Sequence, residues 1–331
     1  MVNEADIRMF SAKCREIFAQ VRRDIVGQED VVENTVIAMI AGGNVLLEGV
    51  PGIGKTRLVR SLGRVFSLPF SRIQFTPDLM PADVTGTNVL EKDAQGNAAY
   101  RFQPGPIFSH IVLADEINRA TPKSQSALLE AMQEHRVTVA GEDHQLDEPF
   151  FVLATQNPIE QEGTYALPEA QMDRFMFKLI MTYPTLEEMK QIVLMTQKTM
   201  DEVSEGVVNG AELLRMRETA KEIPVTDDIV MYAMRLVAST QPDGPLAGEI
   251  ARRHIRLGAS PRAAQALITG AKVRAMVNGR YNVSVEDVDT LAYPVLRHRI
   301  KLGYEALATH MTPDQVIHDL IKAAKGKKKS V

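Results

Sequence analysis

A chain of 331 residues has room for two domains, each with its own core. Its 45% hydrophobic and 24% charged residues are ordinary for a globular protein, and a net charge of −4 with a pI near 6.0 gives no support to a surface built mainly for nucleic acid. A single cysteine, Cys14, excludes an internal disulfide and suits a reducing compartment. The N-terminus has no apolar stretch of the kind a secretion signal carries, and no run approaches the ~18 apolar residues of a membrane span. A soluble, cytoplasmic protein is expected.

Apolar residues at Ile7, Phe10, Cys14, Ile17 and Val21 recur every three or four positions and predict an amphipathic helix over residues 4–23. A break at Ile25, Val26, Gly27, Gln28 and Glu29 precedes a second helix, which Gly42 and Gly43 end. The short run from Asn44 to Glu48 is apolar enough for a buried strand. It leads into Gly49, Val50, Pro51, Gly52, Ile53, Gly54, Lys55 and Thr56, then Arg57 and a helix with Leu58 and Leu62 on one face. Strand, glycine loop and helix in that order turn the spacing G-x-x-x-x-G-K-[ST] into a phosphate site. The glycines let several backbone N–H groups point at one anion, and the helix start adds the positive end of its dipole. Lys55 is expected to project, exposed, toward the β- and γ-phosphates, and Thr56 to hold Mg²⁺ through its hydroxyl. The chain is therefore expected to bind a nucleoside triphosphate with Mg²⁺.

Four further runs read as strands: 70–75, 110–115, 150–155 and 175–180. Near-continuous apolar strands separated by helices imply a parallel sheet covered on both faces, with ligands at the carboxyl ends of the strands. Two stretches, 83–102 and 136–146, read as β-hairpins inserted into this pattern. From about 184 onward strand-like runs cease. Thr185 with Glu188, Ser284 with Asp287 and Thr312 with Gln315 have capping-box spacing, and Ser260 before Pro261 opens another helix. The expected division is a nucleotide-binding core over 1–183 and an all-helical unit over 184–331 that ends in a short basic tail.

The strand at 110–115 ends in Asp115 and Glu116, which suit metal holding and water polarisation at a γ-phosphate. Asn157, at the end of the next strand, can position the attacking water, with an Asn-Pro turn as the alternative. Arg174 is either a finger that neutralises phosphoryl charge in a neighbouring subunit or a surface ion pair with Asp173 or Glu169. Arg262 lies in the first turn of a helix, where a cation is disfavoured unless a bound phosphate relieves it; a plain exposed arginine is the other reading. Arg119 is a further candidate for a nucleotide across an interface.

The motifs 25–29, 49–56, 113–120, 154–158, 166–175 and 260–262 together resemble the MoxR family of AAA+ ATPases over essentially the whole chain. The resemblance implies a five-stranded α/β core with a small helical lid, and ATP hydrolysis at the interfaces of a ring, usually hexameric. In that setting Asp115 and Glu116 are the Walker B pair and Asn157 is sensor 1. Arg174 becomes the arginine finger, Arg262 the lid's sensor, and Val26 and Gln28 part of the adenine pocket. It also implies chaperone-like maturation or metal loading of a protein client, often with a von Willebrand factor A-domain partner. A magnesium-chelatase-like subunit is the nearest alternative. A DNA-directed motor is disfavoured, since the chain is acidic and carries no added helix-turn-helix.

Overall fold

Five short apolar runs line up side by side and all in one direction: β1 (Val45–Glu48), β2 (Phe70–Gln74), β3 (Ile111–Asp115), β4 (Phe151–Gln156) and β5 (Phe177–Ile180). They are seen in a computed structural model that describes residues 3–92, 98–158, 164–198 and 203–326. The strand order is β2-β3-β4-β1-β5, and every pairing is parallel. Alternation sorts the side chains. Val45, Leu47, Ile111, Leu113, Phe151, Leu153 and Leu179 face one layer, while Leu46, Val112, Ala114, Val152 and Ala154 face the other. Because both sets are apolar, both faces need cover, as the sequence predicts.

The first face is covered by α1 (Glu4–Val21), α2 (Glu29–Ala41) and α3 (Lys55–Val65), together with helices from the C-terminal half. Helix α1 starts in a reciprocal Asn3–Asp6 capping box and buries all five residues of its apolar stripe. Cys14 is among them, and burial pushes its thiol up to about 12, so it stays protonated and unreactive. The second face is covered by α4 (Pro122–Glu134) through Leu128, Leu129, Ala131 and Met132.

Both inserted hairpins are present. Gly86–Lys92 pairs antiparallel with Ala98–Pro104, the turn at 93–97 lying outside the described residues. Arg136–Val139 pairs with Glu142–Gln145 around Ala140 and Gly141, both at positive φ, which matches the twist of a two-residue turn. Phe102 of the first hairpin stacks on His144 of the second, ring centroids 3.7 Å apart.

The C-terminal half is helical: α5 (Leu186–Lys198), α6 (Gly210–Lys221), α7 (Asp227–Ala238), α8 (Pro261–Val277), α9 (Val285–Leu296) and α10 (Pro313–Gly326), with shorter turns between them. The Thr185, Ser284 and Thr312 capping boxes all form. One small addition is an antiparallel pair, Ile255–Leu257 with Lys301–Leu302, too short to leave an alternating pattern in the sequence. These helices are bound to the first face by polar contacts as well as apolar ones. The buried Asp24 carboxylate accepts the N–H groups of Val203 and Ser204, and Arg217 donates to the α2 carbonyls of Met39 and Ile40 and to Glu148. Among the described residues no helix is long and apolar enough to cross a membrane.

Asp287, at the start of α9, is fully buried and collects the Ser284 N–H and hydroxyl, Arg280 and Arg274. Burial alone raises its pKa, but the hydrogen bonds from Arg280 and Ser284 and the Arg280 charge outweigh it and hold the carboxyl below its ordinary value. A carboxyl depressed in the fold adds stability above its unfolded pKa, which is lost as pH falls through the folded value. Asp287→Ala should cost about 3 kcal/mol at neutral pH, the low end for a broken buried pair because Arg280 can reach water. Urea midpoints should show the gap to wild type closing below the ordinary aspartate pKa of about 3.9, and a constant gap at acid pH would refute the linkage.

Candidate nucleotide site

The phosphate loop hangs between β1 and α3. Gly52 and Gly54 sit at φ +82 and +93, and nothing lies within 4 Å of a Cβ built on either. Glycine is thus required there by backbone conformation rather than by space. Gly54 is the N-cap of α3, and no side chain caps that helix, which leaves the first-turn N–H groups for an anion. Ile53 packs against the core beneath the loop, and Val50 and Pro51 complete its outer turn.

Lys55 departs from expectation. It is buried, with its Nζ donating to the Gly49 carbonyl at 2.8 Å. Removal from water pushes its pKa down, opposed by Asp115 and Glu116, whose charges favour the ammonium. The lysine therefore folds back across the loop, with the Gly49 carbonyl as its acceptor.

Asp115 and Glu116 end β3 level with the loop. Asp115 is buried; its Oδ1 accepts the Thr155 hydroxyl at 2.7 Å and its Oδ2 accepts Arg72 at 2.6 Å. The same Thr155 oxygen accepts the Glu116 N–H at 2.8 Å, so one hydroxyl fixes both acids. Glu116 occupies the left-handed region at φ +56, a strained setting for a non-glycine residue that turns its carboxylate out of the strand line. Its Oε2 accepts Arg119 at 2.9 Å and Gln74 at 3.3 Å. Arg119, a candidate for contact with a neighbour's nucleotide, pairs with Glu116 within its own chain. Asn157 follows β4 beside the loop, since Gly49 donates its N–H to the carbonyl of Gln156.

Two more predicted residues line this end of the sheet. Gln28, also left-handed at φ +63, donates to the carbonyl of Thr182 just after β5, which brings Val26 and Gln28 alongside the loop. Arg57 donates to the carbonyl of Asp24 and so braces the same segment. For Mg²⁺, the donor set fits a hard cation that keeps water and phosphate ligands: the Thr56 hydroxyl and the Asp115 carboxylate. No cluster of three or more His, Cys, Asp or Glu among the described residues could hold a metal without a ligand's help.

Arg174 and Arg262 lie elsewhere. Together with Asp173, Arg299, Gly42 and Gly43 they line a cleft of about 330 Å³ at the entry ends of β1 and β5. Gly43 precedes β1 and Gly49 follows it, so the cleft and the phosphate loop are separated by roughly 20 Å of extended chain. The start of α8, and Arg262 with it, thus faces the end of the sheet opposite the phosphate loop of its own chain. Arg174 donates to the carbonyl of Leu129 at 2.7 Å. Among the described residues its supposed ion-pair partners are engaged by other cations: Asp173 by Arg299 and Arg262, and Glu169 by Lys301.

Thr155, Arg72, Gln74 and Arg299 are not singled out by sequence. The hydroxyl of Thr155, two residues before Asn157 and near the end of β4, is the one signal that could have found it.

Residues 44–177 match the family described as "ATPase family associated with various cellular activities (AAA)", and residues 247–320 match the AAA lid domain. The chain is 43% identical to Chaperone MoxR1 of Mycobacterium tuberculosis over 93% of its length and 80% of that protein. It belongs to the MoxR family of AAA+ ATPases. Other MoxR-family similarities are consistent: 30% identity to Protein MoxR of Methylorubrum extorquens, covering 92% of this chain and 91% of that one. A crystal structure of a candidate ATPase from Cytophaga hutchinsonii superimposes with a TM-score of 0.88 at 39% identity, covering 96% of this chain and 95% of that one. Membership of that family makes the chain a chaperone-like AAA+ ATPase, a nucleotide-binding ATP hydrolase.

Two outcomes follow for this site. Lys55→Ala should lose saturable ATP binding in calorimetry while its circular dichroism stays that of wild type; retained affinity would remove the lysine from phosphate binding. Thr155→Val keeps the shape and deletes the hydroxyl, so turnover should drop roughly ten- to a hundred-fold with ATP affinity little changed. Turnover equal to wild type would mean that Asp115 and Glu116 hold their places without it.

Proposed function

We propose that this MoxR-family protein works as a cytoplasmic homo-oligomeric ring, hexameric as the resemblance implies, whose ATPase sites are each shared by two subunits. The core, residues 1–183, supplies Mg²⁺-ATP binding through Gly49 to Thr56 and Asp115, with Val26, Gln28 and Arg57 around the base. Glu116 polarises the attacking water and Asn157 positions it. The neighbouring subunit supplies Arg174, and beside it Arg262, to neutralise charge on the transferring phosphoryl group.

One observation carries this reading. The phosphate loop and the arginine pair lie at opposite ends of one parallel sheet, so a complete site needs a second copy placed head to tail. The work done by hydrolysis is remodelling or maturation of a protein client, metal loading included. A von Willebrand factor A-domain protein is the partner to look for. The net charge of −4 favours a protein client over nucleic acid. The two hairpins, joined by the Phe102–His144 stack, are the moving elements offered to that client.

The test uses two inactive variants. Arg174→Ala retains a good phosphate loop but offers no finger; Lys55→Ala retains the finger but cannot hold ATP. Mixed and reassembled at random, about a quarter of interfaces pair an intact loop with an intact finger. ATPase activity should then reappear well above either parent. No recovery, with subunit exchange confirmed by fluorescence transfer, would sink the shared site.

A further inference from the structure

Arg299 follows α9 and is all but removed from water, its side chain 3% exposed. Every N–H of its guanidinium is used. Nε donates to Asp173 Oδ1 at 2.8 Å, Nη1 to the carbonyls of Val295 and Met176 at 2.6 and 3.1 Å, and Nη2 to those of Phe175 and Asp173 at 2.7 and 3.1 Å. Three of the four acceptor carbonyls belong to residues 173, 175 and 176, on both sides of Arg174. A side chain from the helical half thus fixes the backbone from which Arg174 projects.

The network continues to the second arginine. Asp173 Oδ2 accepts the Ser260 hydroxyl at 2.8 Å, and Ser260 also caps α8 by accepting the Arg262 N–H at 3.2 Å. The Arg262 guanidinium stands 4.0 Å from the same carboxylate oxygen. Next to Arg299, the buried His298 donates from Nε2 to the Phe175 carbonyl at 3.1 Å, and burial together with Arg299 pushes its pKa well down, so it adds no charge. Burial likewise lowers the Arg299 pKa, while Asp173 opposes that shift. A charge is kept in an apolar setting only where its geometry is fully satisfied.

We propose that Arg299 is a positioning residue for hydrolysis: through Asp173 it locks Arg174 and Arg262 into one rigid pair that a neighbouring subunit's ATP meets. The inference rests on the shared-site reading above. Lysine cannot replace a planar fork with five donors, so Arg299→Lys retains the charge and loses the lock. The phosphate loop at the far end of the sheet is untouched by it.

Complementation separates this role from simple bracing of the fold. Arg299→Lys should bind an ATP analogue within about two-fold of wild type and turn over roughly ten- to a hundred-fold more slowly, as small misplacements of reacting groups do. Mixed with Lys55→Ala it should regain activity; mixed with Arg174→Ala it should not, because both lack the same half of the site. Ser260→Ala, which removes both the Asp173 Oδ2 donor and the side-chain cap on the Arg262 N–H, should fall in the same group with a smaller loss. Turnover at the wild-type rate in Arg299→Lys would overturn the proposal, as would recovery with Arg174→Ala. If Arg299→Lys fails to fold, Ser260→Ala decides, and wild-type turnover there overturns it too. Failure of Arg174→Ala and Lys55→Ala to rescue each other is a separate result, and it strikes the shared site rather than Arg299.

Discussion

A sheet whose strands all run one way has two unlike ends, and this constraint orders the rest of the molecule. The loops that leave β1, β3 and β4 carry the glycine cradle, the two carboxylates and Asn157, so chemistry for a triphosphate collects at one end. The segments that enter β1 and β5 carry Gly43 and the arginine stretch, which therefore belongs to the other end. No rotamer change carries a side chain across the length of a strand. Separation of the phosphate loop from the arginine pair is then a property of strand direction, present before any residue is chosen for catalysis.

At the phosphate end, charges of both signs are set close together. Lys55, Arg72 and Arg119 face Asp115 and Glu116, three cations against two acids. The small positive excess, with the uncapped start of α3, suits a polyanion. Both acids are already held by cations and a shared hydroxyl, so binding exchanges one set of partners for another instead of creating order from a loose loop. Such a preset arrangement needs little reorganisation at the moment of reaction.

The elements legible in the sequence are those whose signals are local. The glycine loop, the apolar strands, the capping boxes and the stripe of α1 each depend on residues a few positions apart, and each forms as read. Even the hairpin turn at Ala140 and Gly141 follows from its own neighbours. Contacts between distant segments leave no such trace. Thr155 reaches back 40 residues to Asp115, and Arg299 reaches 126 residues to Asp173, with nothing in either neighbourhood to name the partner. Arg262 illustrates the boundary: its place at a helix start is plain from Ser260 and Pro261, yet the end of the sheet that helix faces is set by packing of α8 on α1 and α2. Lys55 turns inward for a related reason: its acceptor is a backbone carbonyl six residues back, which no residue type marks.

The stack of Phe102 on His144 has a mechanical consequence of its own. Two flat rings 3.7 Å apart and nearly coplanar in orientation, 15° from parallel, resist being pulled apart but slide over one another at little cost. Phe108 bounds that slide, its ring edge-on to Phe102 at 5.5 Å and to His144 at 6.5 Å. The two hairpins are thus joined like plates in a clutch, free to shear along one plane and stiff against separation. Displacement of one hairpin along the ring plane is therefore absorbed at the stack, while displacement that would separate the rings draws the other hairpin with it.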